Sequence, residues 1–166
     1  MDIRANKKIV LKKIVEIYPQ VAANRFNIPL DIFCGGGKDL SKDEAGQYIQ
    51  EIISSDEIDL VVETMGGTSD FVFNTCLNVV KSGKHLVTAN KALLAERGKE
   101  IFQVAEEKNV KIGFEAAVCG AIPIVKTIKE SFTGDKVISL SGIMNGTSNY
   151  ILSQMQDENL EFDVAL

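Results

Sequence analysis

Short apolar runs alternate with helical patterns along this chain, and no other feature constrains its fold as much. Leu60-Val61-Val62-Glu63, His85 to Val87 and Lys111 to Phe114 have the length and side chains of buried strands. Between them lie a helical pattern capped by Ser69 or Asp70, running through Val80 and closed by Gly83, and another from about Arg97 to Lys108. Upstream, Ser41 with Glu44 three residues on is a capping-box signature opening a helix to about Ser54. Leu30 to Cys34 alternates like a short strand ending in Gly35-Gly36-Gly37. Ile9, Val10, Ile14, Ile17, Val21 and Phe26 fit a helical stripe over roughly residues 7 to 26, interrupted at Pro19. Downstream, Pro123 enters a helix to about Phe132, Val137 to Ile143 reads as a last strand, and Thr147 to Gln156 as a last helix. The alternation predicts an α/β protein with a Rossmann-like parallel sheet, helices on both faces and right-handed crossovers. Short loops predict one compact unit.

The 166 residues suffice for a real core and carry a net charge of −5 with scattered basic residues, which excludes an electrostatic footprint for nucleic acid. The pairs Lys7-Lys8 and Lys12-Lys13 read as a solvated face. No apolar run reaches membrane-spanning length and the N-terminus lacks a signal peptide's apolar stretch, so a cytoplasmic location is expected. Cys34, Cys76 and Cys119 are odd in number and widely spaced, and free thiols are expected. His85 is the single histidine, and with no nucleophile elbow a Ser-His-Asp or Cys-His machine is disfavoured.

In a parallel α/β sheet, ligands bind at the carboxyl ends of the strands. Val87-Thr88-Ala89-Asn90-Lys91 occupies such an end, and Lys91 is either an acid/base or electrostatic group facing a ligand or a solvated lysine in a helix's first turn. Gly66, Gly67 and Thr68 follow the strand ending near Met65: the glycines allow close backbone approach, and Thr68 offers a hydroxyl, unless this is a plain turn. The small residues and glycine of Glu115 to Ile122 expose several backbone carbonyls around one turn, suited to a hard cation, or simply lead into Pro123. Asn145-Gly146-Thr147 opens the last helix, as a cap, as a ligand contact, or as both.

Taken in order, Glu63-Thr64-Met65-Gly66-Gly67, the Lys91 segment, Glu115 to Ile124 and Gly142 to Leu152 resemble homoserine dehydrogenase, firmly from about Ile58 to Met155. The resemblance implies oxidation of homoserine to aspartate 4-semialdehyde with NAD or NADP, in threonine and methionine biosynthesis. It implies Lys91 as the catalytic lysine, acting with a second lysine that this chain lacks. It assigns Gly66, Gly67, Thr68, Lys91 and Asn145 to the cofactor, with Lys38 near the adenosine ribose, where it could favour a 2′-phosphate. A sodium ion would sit at Glu115, Val118, Gly120 and Ile122, and the intact protein would be a homodimer.

The family's first strand, with its glycine-rich phosphate fingerprint, has no counterpart here, and family members continue through a substrate-binding segment. The expectation is therefore a chain truncated at both functional ends and inactive alone, with an incomplete dinucleotide-binding domain at 1–137 and the start of the catalytic domain at 138–166. A non-catalytic nucleotide-binding or assembly module is the alternative. Another amino-acid dehydrogenase is disfavoured by the Asn-Gly-Thr-Ser-Asn-Tyr run.

Overall fold

Three strands, β1 (Leu60–Glu63), β2 (His85–Thr88) and β3 (Ile112–Gly113), pair in parallel in that order in the computed structural model, which describes residues 10–16, 18–120 and 122–166. The register sets Leu60 opposite His85, Glu63 opposite Thr88 and Leu86 opposite Ile112. Helix α3 (Asp70–Lys81) crosses from β1 to β2, and α4 (Lys91–Glu107) from β2 to β3.

Both crossover helices form where apolar side chains recur at helical spacing. Val72, Phe73, Cys76, Leu77, Val79 and Val80 of α3 meet Leu93, Ile101 and Ala105 of α4 over Leu86 of β2, forming the core. Ser69 caps α3 by accepting from Val72 N–H, and Asn90 caps α4 by accepting from Leu93 N–H at 3.1 Å. Helix α2 (Lys42–Ser54) starts with the predicted capping box: Ser41 Oγ accepts from Glu44 N–H, and the Glu44 carboxylate accepts from Ser41 N–H at 2.8 Å. At the amino end of β2, the buried Lys84 ammonium donates to the carbonyls of Ser55 and Ile58 at 2.6 and 2.8 Å, tying the end of α2 to the sheet. The sheet face bearing Leu86 and Thr88 is densely covered, whereas Leu60 and Val62 on the other are 42% and 60% exposed.

The α/β class and parallel sheet stand as predicted; several element boundaries do not. The helical stripe from 7 to 26 reduces to α1 (Pro19–Phe26), with residues 7–9 and 17 outside the described set. Residues 10–16 are non-helical because Ile14 has a partner elsewhere: its N–H donates to Ile32 O and its carbonyl accepts from Cys34 N–H. Leu30 to Cys34 is not a strand beyond that single bridge. Tight turns at Leu30–Ile32 and Cys34–Gly37 replace it, with Gly35, Gly36 and Gly37 at φ of +75°, +64° and +83°. Helix α4 begins at Lys91 rather than Arg97. After Pro123 the expected helix to about Phe132 is present, as α5 (Ile124–Lys126) widening into a π-helical turn over Thr127–Ser131. Val137 to Ile143 is not a strand but an exposed, irregular stretch, with Ile138 93% exposed, so the connection before α6 (Gly146–Asp157) is long rather than short. A strand needs a neighbour for its backbone groups, and none lies beside this stretch among the described residues. A short α7 (Phe162–Ala165) packs on α6 and was not foreseen. No helix among the described residues is long and apolar enough to cross a membrane.

Candidate functional site

Parallel pairing brings the carboxyl ends of the three strands to one edge, and three of the predicted segments gather there: Gly66–Thr68 after β1, Asn90–Lys91 after β2 and Glu115 onwards after β3. A chain of buried polar groups holds the first two together. Glu63, 4% exposed, ends β1; its Oε1 accepts from the N–H groups of Met65 at 2.6 Å and Gly66 at 3.1 Å. Its Oε2 accepts from the Thr88 hydroxyl at 2.6 Å, directly across the ladder. Thr88 Oγ1 in turn accepts from Asn90 N–H at 3.0 Å. Asn90 Nδ2 donates to the Gly67 carbonyl at 2.8 Å while Asn90 Oδ1 caps α4. A buried carboxylate with three donors is satisfied without a counter-ion.

That network fixes the loop after β1. Gly66 and Gly67 have φ of +74° and +77°, the left-handed region that a side chain disfavours, and a Cβ at either would meet nothing within 4 Å. Their glycine identity therefore answers to backbone conformation, and the loop faces open space. Met65 and Gly66 amides are used internally by Glu63, while Gly67 and Thr68 N–H groups have no acceptor among the described residues. Those two donors and the Thr68 hydroxyl are available to a ligand.

Lys91 is the first residue of α4, exposed, and absent from the ion pairs of the described residues. The first turn of α4 contains no acid, so the cation sits uncompensated at the positive end of a helix, against the macrodipole. Departures from local preference of this kind occur at functional and at strained positions alike.

Beyond β3, Glu115 to Ala117 forms a tight turn, and Cys119 and Gly120 follow with φ of +55° and +60°. The Glu115 carboxylate accepts from Lys126 N–H at 3.2 Å, and its backbone carbonyl accepts from Val118 N–H. The Ile122 carbonyl accepts from Ile124 N–H at 2.8 Å. Each of these two carbonyls keeps a second lone pair. No group of three or more His, Cys, Asp or Glu side chains that could hold a metal exists among the described residues.

Two predicted residues stand apart from this edge. Asn145 is exposed and caps α6 by accepting from Ser148 N–H at 2.9 Å. Lys38 is exposed at the end of the glycine turn, where its N–H donates to Gly35 O. Glu63, Thr88 and Asn90, which organise the edge, escaped prediction as site residues. Their signal was present: polar side chains closing apolar strand runs at the ends where ligands bind.

A family model described as the homoserine dehydrogenase NAD binding domain matches residues 12–115, and a homoserine dehydrogenase model matches residues 123–166. The chain is 44% identical over 133 residues to a homoserine dehydrogenase of Neisseria gonorrhoeae, covering 75% of this chain and 30% of that protein. To that of Helicobacter pylori it is 38% identical over 159 residues, covering 93% of this chain and 37% of the relative. Among solved structures, a homoserine dehydrogenase from Thiobacillus denitrificans superposes with a TM-score of 0.68 at 43% identity, over 79% of this chain and 29% of that one. The chain thus spans about a third of the length of the curated relatives it matches.

Proposed function

We infer that this chain, which belongs to the homoserine dehydrogenase family, forms the cofactor-facing part of an NAD- or NADP-dependent enzyme that oxidises homoserine to aspartate 4-semialdehyde, within threonine and methionine biosynthesis. The observation that carries this reading is the placement of Lys91 beside the Gly66–Gly67 loop, linked through the Asn90–Gly67 hydrogen bond. When bound, the nicotinamide supplies the hydride chemistry, and the protein supplies orientation and proton transfer. Lys91 takes the proton from the substrate hydroxyl. The Gly67 and Thr68 amides and the Thr68 hydroxyl hold the nicotinamide ribose, with Gly66 leaving room for it. Asn145 at the carboxamide and Lys38 near a 2′-phosphate are supported by the family resemblance of their segments and not by their position beside this edge.

A sodium ion at Glu115, Val118, Gly120 and Ile122 is supported by the oxygen-only donor set of that turn. A division at 137/138 into dinucleotide-binding and catalytic parts is supported by the exposed stretch on either side of it. Association into a homodimer is supported by the apolar side chains of that stretch, Ile138 and Ile143 above all. A cytoplasmic setting completes the reading. Calorimetric titration of the whole chain with NAD and with NADP tests it. Binding of either, weakened by Gly67→Val, supports the site; absence of binding by both overturns it.

A further inference from the structure

We propose that Glu63 is a positioning residue for the dinucleotide site, a role that rests on the reading just given. Its carboxylate is placed where one group reaches both sides of the site. One oxygen folds the following loop back through the Met65 and Gly66 amides; the other, through Thr88, fixes the start of α4. The Asn90–Gly67 bond closes this into a ring, so the loop and the helix that begins with Lys91 keep one relative position. By consuming the Met65 and Gly66 amides, Glu63 also selects which donors remain: those of Gly67 and Thr68. A charged acceptor of three hydrogen bonds makes the ring stiff, and a stiff ring spares a ligand the cost of ordering a glycine loop. Glu63 itself is buried, so it acts through the groups it bonds.

Glu63→Gln keeps an oxygen for the two amides but turns an N–H toward the Thr88 hydroxyl, which loses its acceptor. Glu63→Leu removes both halves. Lys84→Met serves as a control, since it deletes two part-buried hydrogen bonds at the opposite end of β2. Calorimetry of the whole chain with NAD and NADP should show Glu63→Leu weakened at least about tenfold, Glu63→Gln weakened less, and Lys84→Met unchanged despite a lower melting temperature. Equal affinity of wild type and Glu63→Gln, or an equal loss in Lys84→Met, overturns the proposal. Hydrogen exchange gives a reading independent of any ligand, so a chain that binds neither dinucleotide sinks the functional assignment without deciding this one. Met65 and Gly66 amides should exchange faster in Glu63→Leu, which removes their acceptor, while Leu86, bonded to Lys111 O, stays protected. Unchanged exchange at Met65 and Gly66 overturns the positioning role.

Discussion

The guanidinium of Arg97, on α4, lies 3.3 Å above the centre of the Phe73 ring on α3. It also places Nη1 2.7 Å from the Asp70 carboxylate, at the first turn of α3. One side chain therefore clamps the two crossover helices close to the ligand edge. Asp70 is 86% exposed, so the ionic half of this clamp is screened and contributes little, whereas the stacked half lies over a buried ring. Arg97→Ala should lower unfolding free energy by about 1–2 kcal/mol in urea titrations. The loss should persist in high salt; one that disappears there would assign the effect to Asp70.

Lys84→Met should cost about 1–3 kcal/mol, because two half-buried carbonyls, those of Ser55 and Ile58, lose a charged donor at once. Chemical denaturation measures it directly. A cost below about half a kcal/mol would mean that water replaces the ammonium without penalty.

Burial, with the Glu63 charge adding to it, pushes the Cys76 thiol up to about 12 from its ordinary 9.0. The folded chain then holds this proton where the unfolded chain releases it. The stabilisation is complete below pH 9 and is lost as pH rises toward 12, with a slope of up to about 1.4 kcal/mol per pH unit. Cys76→Ala should lack that slope, so the stability difference between wild type and variant should narrow from about pH 9 to 11. Parallel pH profiles would refute the assignment.

Much of this architecture was legible because its determinants are local. Ser41 and Glu44 satisfy each other within one turn, and Leu60 to Glu63 and His85 to Val87 are short apolar runs with the length of strands. The failures share a cause, which is dependence on a distant partner. Ile14 fits a helical stripe, yet its backbone pairs with Ile32 and Cys34. Val137 to Ile143 has strand composition, but composition supplies no neighbouring ladder. In the site, Lys91 and Gly66–Gly67 were visible as residue types at strand ends. Glu63 was not, because its significance lies in what it bonds across the sheet, to Thr88.

Lys91→Ala should separate stability from catalysis. Removing a cation from the positive end of α4 leaves stability unchanged or raises it by about 0.3–1 kcal/mol. With this segment joined to the remaining length of a homoserine dehydrogenase, Lys91→Ala lowers homoserine oxidation by ~10²–10⁴-fold if Lys91 carries the proton, while dinucleotide affinity changes little. Turnover, calorimetry and thermal melting on the same variant make the comparison. Near-normal turnover would return Lys91 to an ordinary surface lysine.

The strand order β1, β2, β3 repeats the order in which the chain is made. Each strand docks beside the one completed just before it, and each crossover helix packs on its predecessor. Each pairing closes a single crossover, as across the 25 residues between Glu63 and Thr88, so no strand of this sheet waits on more than one intervening helix. A nascent chain emerging from the ribosome can therefore assemble the ligand edge one βα step at a time, and the Glu63–Thr88 bond can form as soon as β2 has docked.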